Sequence, residues 1–443
     1  MRVASYRLPR FTGPAAIFVI ALVLTTGVAP TLVGVLSGEK GLDDFHVVYS
    51  GARAMLDHAE IDAATNRMYI YSPFIAFVFQ PLALLPERGS AIAWLVLTAI
   101  IILAATIIAS RKIAATWHIL STDADRSMPW LVSAGALLLS FEKIRSEFIL
   151  GQIDCVILLG LALILCSVDS RPQFAAIAVG AAANFKYLAL IFVPYFFIKR
   201  NYRAAFASIG WFVFFFALPA LEVGSRLIGQ YAMNAVAVLA KVIGGRSFVH
   251  VALGGGDVAV VNSVTWTNSV SLSSAVFRVT RSLQIPDVVA AIVIALLFTA
   301  IVAALVWIGR CYDVDLLRYG AANHKGARAQ TNNIEWAALI VLALSFGPQT
   351  TARHMVMLML VYVVGITLVL VEQRRSPRIL LIASMIATAT ALSLPFRQTG
   401  IHPSLIALKS AGVASWCAVL LIFFIAVIGC SKIFESFRSF PAS

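Results

Sequence analysis

The chain has 443 residues, of which 60% are hydrophobic and 12% are charged. A soluble domain could not bury that much apolar surface, so the composition predicts a membrane protein. The formal net charge of +13 suits contact with anionic lipids or phosphate groups. No basic soluble segment is long enough for a nucleic-acid-binding module, and the five cysteines show neither a disulfide framework nor zinc-binding spacing.

Apolar runs long enough to cross a bilayer recur along the whole chain. The first, from Pro14 to Leu36, follows a basic N-terminus that resembles a signal peptide, but its length predicts an uncleaved first span. Shorter apolar runs are stable only inside a bundle or beside a water-filled cavity. The further long runs are Ala91 to Ala109, Ala204 to Leu221, Val288 to Ile308, Met355 to Val371, Ile379 to Leu394 and Ala411 to Gly429, and the shorter ones are Trp130 to Leu139, Ile153 to Val168, Phe174 to Phe185, Tyr187 to Ile198 and Trp336 to Phe346.

The basic residues indicate how these runs cross the membrane. If Ser72 to Leu85 is interfacial or re-entrant, and if Lys186 marks a turn between two short spans, the chain has about twelve spans with both termini cytoplasmic. The sequence therefore predicts an all-α polytopic membrane protein, folded as one domain over residues 1–443. Basic clusters at span ends then fall on the cytoplasmic side, in agreement with the positive-inside rule: Arg111-Lys112, Lys199-Arg200 and Arg374-Arg375.

Two long outer excursions, at residues 37–89 and 222–287, are predicted to form the active face. Within the first, the apolar stripe from Asp43 to Ala59 predicts a helix that lies along the membrane interface. In the second, Gly244-Gly245 and Gly254-Gly255-Gly256 predict flexible turns, and a short helix is expected near Ser269 to Leu283.

Polar residues near membrane depth are costly and usually face a cavity. The pair Asp43-Asp44 either caps the interfacial helix or supplies a general base. Lys186 is either a snorkelling or salt-bridged lysine or a phosphate ligand, and His354 either a satisfied core histidine or part of the same phosphate site. Gln152 either caps the span that follows it or faces the site. The same set of outer polar residues includes His46, Tyr71, Lys143, Arg145, Glu147, Asp154, Asn268 and Arg353.

Several short motifs occur in a fixed order along the chain. Together they resemble glycosyltransferase family 87, and they extend from Asp44 to His354. The chain differs from the family pattern at two places, and both differences bear on which sugar and which acceptor it uses. The family's usual Tyr-Pro-Pro is Tyr71-Ser72-Pro73 here, and Thr350-Thr351-Ala352-Arg353 stands where the family has Ser-Trp before its histidines. The matching motifs are Asp44-Phe45-His46-Val47-Val48-Tyr49, Tyr69-Ile70-Tyr71, Gly151-Gln152, Asn184-Phe185-Lys186-Tyr187, Asn268-Ser269-Val270-Ser271-Leu272 and Arg353-His354.

The resemblance implies a GT-C superfamily bundle on the cytoplasmic membrane that transfers mannose or arabinofuranose. The donor would be a polyprenyl-phosphate sugar and the acceptor a lipid-linked or envelope glycan on the outer face, with inversion at the anomeric carbon. By resemblance Asp44 is the general base, and Lys186 and His354 lie at the donor phosphate. No metal and no cofactor beyond the donor substrate are expected. The other expected substrate-binding residues are Asp43, His46, Tyr49, Tyr71, Gln152, Asn268 and Arg353.

The chemistry of the residues agrees with this mechanism. A phosphate leaving group needs cationic compensation as the glycosidic bond breaks, and outer lysine, arginine and histidine residues can supply it. A single base is sufficient for inversion, since a phosphate needs no strong acid in order to leave. The alternative function is a lipid-linked glycan flippase or polymerase, which would also be basic and polytopic.

Overall fold

The computed structural model describes residues 12–39, 42–59, 61, 65, 69, 71–117, 127–243, 248–253, 257–262, 264–317, 325–348, 350–394 and 403–438. Most of these residues are helical, so the predicted all-α class is confirmed. The helices are α1 Thr12–Ser37, α2 Asp43–Leu56, α3 Pro73–Ala83, α4 Glu87–Thr116, α5 Met128–Leu139, α6 Phe141–Leu150, α7 Asp154–Ser167, α8 Pro172–Phe185, α9 Phe192–Ile198, α10 Tyr202–Ala217, α11 Ala220–Val223, α12 Ser225–Ile243, α13 Leu272–Ser282, α14 Asp287–Cys311, α15 Lys325–Phe346, α16 Leu358–Val371, α17 Arg375–Leu392, α18 Pro403–Ser410 and α19 Val413–Arg438, with 3₁₀ turns at Tyr187–Ile191 and His354–Met357.

In the described part of the chain, six helices are long and apolar enough to cross a membrane. They coincide with six of the seven predicted long runs. The seventh run, Ile379 to Leu394, overlaps α17, which follows Arg374, begins at Arg375 and is not among these six helices. A polytopic membrane protein is therefore confirmed, while the number of twelve spans and the single domain over residues 1–443 stay predictions. The six are Thr12–Ser37, Glu87–Thr116, Tyr202–Val223, Asp287–Cys311, His354–Val371 and Val413–Arg438, and shorter apolar helices are Pro73–Ala83, Met128–Leu139, Asp154–Ser167 and Tyr187–Ile198.

Helix α16 lies at the centre of the bundle, where nearly all of its side chains are buried. It packs against α4, α5, α15, α17 and α19. Helices α10 and α14, by contrast, bury few of their apolar side chains, as expected for helices that face lipid.

The long helix α4 connects the two ends of the bundle. Its 30 residues extend over about 45 Å. Near its beginning, Trp94 donates a hydrogen bond through Nε1 to the carbonyl of Gly151 (3.1 Å), and at its end the carbonyl of Thr116 accepts one from Gln330 (3.3 Å). We name the end that holds Gly151 the site end and the end that holds Thr116 the opposite end.

The predicted turn at Lys186 is confirmed. Before α8, Asp169 accepts a hydrogen bond from Asn332 of α15, and after α9, Lys199 pairs with Glu335 of the same helix (2.8 Å). Both ends of the segment from Asp169 to Lys199 thus lie at the opposite end of the bundle. Lys186 lies at the turn between α8 and the following 3₁₀ helix, in extended backbone (φ −152°, ψ 139°), and reaches the site end.

Buried polar contacts extend α15 beyond the predicted run from Trp336 to Phe346. The helix begins at Lys325 and includes polar residues that find partners at the opposite end. Glu335 is the centre of these contacts: its carboxylate accepts hydrogen bonds from the hydroxyl of Tyr195 (2.8 Å), from Lys199 and from the backbone N–H of Leu317 (2.5 Å). These contacts allow a charged residue to lie inside an otherwise apolar helix.

Three predictions about the two long excursions can be compared with the structure. The helix predicted from Asp43 is confirmed as α2, while its place along the membrane interface stays a prediction. Ser72 to Leu85 contains α3, and the helix near Ser269 to Leu283 is confirmed as α13. The second excursion also contains an antiparallel hairpin that we did not predict, formed by β1 Phe248–Leu253 and β2 Asp257–Asn262. The glycines at 244–245 and 254–256 lie outside the described residues.

Candidate active site

A close backbone contact brings α2 against the turn between α6 and α7. Gly151 ends α6 in the left-handed conformation (φ +66°), and a Cβ there would lie 2.6 Å from the Cβ of Phe45. The ring of Phe45 stacks on Trp94 (6.3 Å between centroids), which in turn holds the Gly151 carbonyl. Only glycine fits at this position, and the contact places Gln152 opposite Asp44.

Asp44 accepts two side-chain hydrogen bonds on the same oxygen. Gln152 donates through Nε2 to Oδ2, and Arg353 donates through Nη1 to Oδ2 at 2.8 Å. Among the residues that the structure describes, none donates a side-chain hydrogen bond to Oδ1, and the Asp44 side chain keeps 30% of its surface exposed. The carboxylate is thus held by one oxygen and presents the other.

Burial and the neighbouring positive charges have opposite effects on the pKa of Asp44. Burial raises the pKa of Asp44 above that of an ordinary aspartate, whereas the positive charges of Arg353 and Lys186 lower it. Burial predominates, so the carboxylate is more basic than a free aspartate. A raised pKa favours proton acceptance from a substrate.

Lys186 forms an ion pair with Asp154, the first residue of α7. The Asp154 side chain is fully buried, whereas the lysine side chain keeps 21% of its surface exposed. The salt-bridge alternative for Lys186 is therefore confirmed. Its role as a phosphate ligand stays a prediction, and the two are compatible because an ammonium group has three donors.

The segment before α16 brings Arg353 and His354 to the same place. Ser269 pairs with Thr351 as an isolated antiparallel bridge, which fixes this segment against the start of α13. The Nδ1 atom of His354 accepts a hydrogen bond from the backbone N–H of Thr351 (3.3 Å), so the ring proton is carried on Nε2. The charges of Lys186, Asp154 and Arg353 act on this ring. His354 thus belongs to one cluster with these three residues and Asp44, which we name the site cluster.

Tyr71 and Glu147 complete the cluster. The charges of Asp44 and Asp154 act on Tyr71, and burial raises its pKa, so that the phenol stays protonated. Glu147, in the last turn of α6, is fully buried, and the charges of Asp154, Lys186 and Arg353 act on it. Among the polar residues predicted to lie on the outer side, Glu147 has no predicted role, and its one signal in the sequence is its position four residues before Gly151.

Four of the predicted substrate-binding residues make no side-chain hydrogen bond or ion pair with this cluster in the described part of the chain. Asp43 is exposed beside Asp44. His46 bonds through Nδ1 to Glu87 (2.6 Å), and the Tyr49 hydroxyl donates to the carbonyl of Leu85 (2.9 Å), so both attach α2 to the start of α4. Asn268 is half-buried next to the Ser269 bridge. Their assignment as substrate-binding residues stays a prediction.

The described residues contain no group of three or more histidine, cysteine, aspartate or glutamate side chains arranged to hold a metal ion. The expectation that the site uses no metal stays a prediction.

These features define a polytopic membrane protein with a charged, partly exposed site at one end of its helix bundle. The family model of glycosyltransferase family 87 matches residues 69–323, which is more than half of the chain. The chain therefore belongs to glycosyltransferase family 87. The matched part contains Tyr71, Gln152 and Lys186, while Asp44 and His354 lie on either side of it.

Two curated mycobacterial proteins are similar to this chain over part of its length. A polyprenol-phosphate-mannose-dependent alpha-(1-2)-phosphatidylinositol mannoside mannosyltransferase of Mycobacterium tuberculosis (strain ATCC 25618 / H37Rv) is 28% identical over 184 residues, 38% of this chain and 42% of that protein. A polyprenol-phosphate-mannose-dependent alpha-(1-2)-phosphatidylinositol pentamannoside mannosyltransferase of Mycobacterium tuberculosis (strain CDC 1551 / Oshkosh) is 30% identical over 201 residues, 43% of this chain and 44% of that protein. The chain thus matches less than half the length of each relative. No solved structure matches it.

Proposed function

We propose that this protein transfers a sugar, with mannose as the first candidate, from a polyprenyl-phosphate donor to a glycolipid or envelope glycan. The observation that carries the proposal is the Asp44 carboxylate, which Gln152 and Arg353 hold by Oδ2 while Oδ1 is free to accept a proton. The names of the two relatives support a polyprenyl-phosphate donor, mannose and an inositol glycolipid acceptor.

The proposed reaction is a direct displacement with inversion. The acceptor hydroxyl gives its proton to Oδ1 of Asp44 as its oxygen forms a bond to the anomeric carbon. The bond from that carbon to the phosphate oxygen breaks, and polyprenyl phosphate leaves with the electron pair. Lys186 and the Nε2–H of His354 would stabilise the negative charge that develops on the phosphate.

A mass measurement distinguishes transfer from the alternative functions. The purified protein in detergent is incubated with polyprenyl-phosphate mannose and a phosphatidylinositol mannoside. We expect the mass of the acceptor to increase by one hexose, and the anomeric configuration of the product to be opposite to that of the donor. A flippase would leave both masses unchanged, and a polymerase would produce a ladder of products. Parallel reactions with polyprenyl-phosphate arabinofuranose test the other candidate sugar.

We further propose that the site end faces the outside of the cytoplasmic membrane and that both termini are cytoplasmic. The basic clusters at the opposite end support this orientation. The chain offers a matched pair of exposed serines: Ser37, where α1 ends next to the site, and Ser376, at the start of α17 near the opposite end. The same orientation predicts labelling near Asn66 and Gly255 and none near His324, and these three positions lie outside the described residues.

In a background without the native cysteines, an impermeant maleimide added to intact cells should label Ser37→Cys but not Ser376→Cys. Permeabilised cells serve as the control, since both variants should then react. Labelling of Ser376→Cys in intact cells, with Ser37→Cys protected, would reverse the orientation and contradict an outer active site.

A further inference from the structure

Two buried carboxyl groups in the site have oxygens without partners. Glu147 is fully buried, and neither of its carboxyl oxygens has a hydrogen-bond partner among the described residues. Asp154 is also fully buried: its Oδ1 is bound to Lys186, while its Oδ2 has no partner in the same part of the chain. Orphaned buried oxygens are uncommon in folded proteins, and each of them needs an explanation.

The two groups lie on either side of one tight turn, close together along the chain. Glu147 lies in the last turn of α6 and Asp154 in the first turn of α7, with only the tight turn through Gly151 between these helices. The carbonyl of Glu147 accepts a hydrogen bond from the backbone N–H of Gln152 (3.0 Å), which closes this turn. Of the charged groups around Glu147, Asp154 exerts the largest effect on it.

Two ionised carboxylates cannot lie side by side in a buried site at acceptable cost, so one of them takes up a proton. Asp154 keeps its charge because Lys186 is bonded to it and because it lies at a helix N-terminus. Burial and the charge of Asp154 raise the pKa of Glu147 well above that of an ordinary glutamate. The charged and titratable groups that act on Glu147, or on which it acts, are Asp44, Tyr71, Lys143, Asp154, Cys155, Lys186 and Arg353.

We propose that Glu147 is protonated in the resting protein and donates its carboxyl hydrogen to Oδ2 of Asp154, as a positioning residue for Lys186. This hydrogen bond gives a partner to one carboxyl oxygen of Glu147 and to Oδ2 of Asp154, which otherwise have none among the described residues. Glu147 would hold Asp154, and Asp154 holds Lys186, so that the ammonium group stays at the turn between α8 and the 3₁₀ helix.

The inference rests on the proposed function in one respect, the use of Lys186 for the donor phosphate. When Glu147 is neutral, the carboxylate of Asp154 is the one negative charge of this pair next to Lys186. The ammonium group of Lys186 can then still attract an anionic ligand. If Glu147 loses its proton, a second negative charge appears next to Asp154 and opposes the phosphate. Binding of a prenyl phosphate should therefore weaken as the pH rises through the pKa of Glu147.

Three variants test this inference: Glu147→Gln, Glu147→Ala and the control Glu142→Gln, which changes a half-exposed glutamate of the same helix. The first measurement is the infrared spectrum of the detergent-purified protein. Wild type and Glu142→Gln should show the carbonyl stretch of a protonated carboxyl group, and Glu147→Gln should lose it. This measurement needs no turnover, so its result is independent of whether the protein is a transferase.

The second measurement is the affinity for farnesyl phosphate as a function of pH. In wild type the affinity should fall as the pH rises through the pKa of Glu147, by at most about tenfold per pH unit. Glu147→Gln, whose amide can still donate to Asp154, should bind as tightly as wild type at neutral pH and lose this dependence. Glu147→Ala should bind about tenfold more weakly at every pH.

The inference is overturned if wild type shows no protonated carboxyl band, or if Glu147→Gln keeps the pH dependence of wild type. A band assigned to Glu147 together with an absence of any sugar transfer would instead contradict the proposed function and leave the shared proton in place.

Discussion

Replacing Asp44 with asparagine is expected to lower the transfer rate by about 10²–10⁴-fold, the usual contribution of a general base. The amide has the same shape, and its oxygen can still accept the hydrogen bonds from Gln152 and Arg353. Folding and donor binding should therefore change little. The measurement is kcat and donor KM of the purified variant in the acceptor-mass assay.

The neighbouring residue provides the matched control. Asp43→Asn removes the same charge one position away on the exposed side of α2 and should lower turnover much less than Asp44→Asn. If instead Asp44→Asn turns over like wild type, Asp44 serves only to stabilise the start of α2, and Asp43 becomes the first candidate for the base.

The pH dependence of wild type gives a second test of this assignment. Because the pKa of Asp44 is raised, the carboxylate takes up a proton above about pH 4, where a free aspartate is still ionised. The rate should fall as the pH is lowered through that raised pKa.

The second large effect is expected at Lys186. Lys186→Met should weaken the binding of a prenyl phosphate by about 10–100-fold, since a charge-assisted hydrogen bond contributes about 1.5–3 kcal/mol. Affinity for a neutral acceptor should change little. The measurement compares binding of polyprenyl phosphate with binding of an uncharged glycolipid headgroup.

The buried partner of Lys186 must be considered in this experiment. Removal of the lysine leaves Asp154 buried without its counter-ion, which costs about 3–5 kcal/mol of stability. The double variant Asp154→Asn/Lys186→Met avoids this cost and separates ligand binding from folding. If the double variant binds the prenyl phosphate as tightly as wild type, Lys186 has only a structural role.

The neighbouring histidine provides a further comparison for Lys186. His354→Ala should mainly lower kcat, because its Nε2–H would act on the phosphate as negative charge develops.

The pattern of the sequence was sufficient to predict the elements that carry the site. The apolar stripe of α2 follows helical periodicity, so Asp44 could be placed at its start without any tertiary information. Lys186 interrupts an apolar run, and a lysine in that position requires a turn or a counter-ion. The structure has both.

The sequence could not predict which residues are partners across the bundle. Asp154 begins α7 and Lys186 follows the end of α8, and no local rule relates their positions. The same holds for the two donors to Asp44, because Arg353 is more than three hundred positions away in the chain. His46 and Tyr49 were predicted from a motif, but their direction on α2 depends on the helix rotation that the contact between Gly151 and Phe45 fixes.

The hydrogen bonds to Oδ2 of Asp44 have a consequence for biosynthesis. Asp44 is made early, in the second helix of the chain, whereas Arg353 follows most of the helices in the sequence. A nascent chain therefore holds Asp44 and Gln152 before it holds Arg353, the second donor to Oδ2. The arrangement of both donors around Asp44 is therefore complete only late in translation.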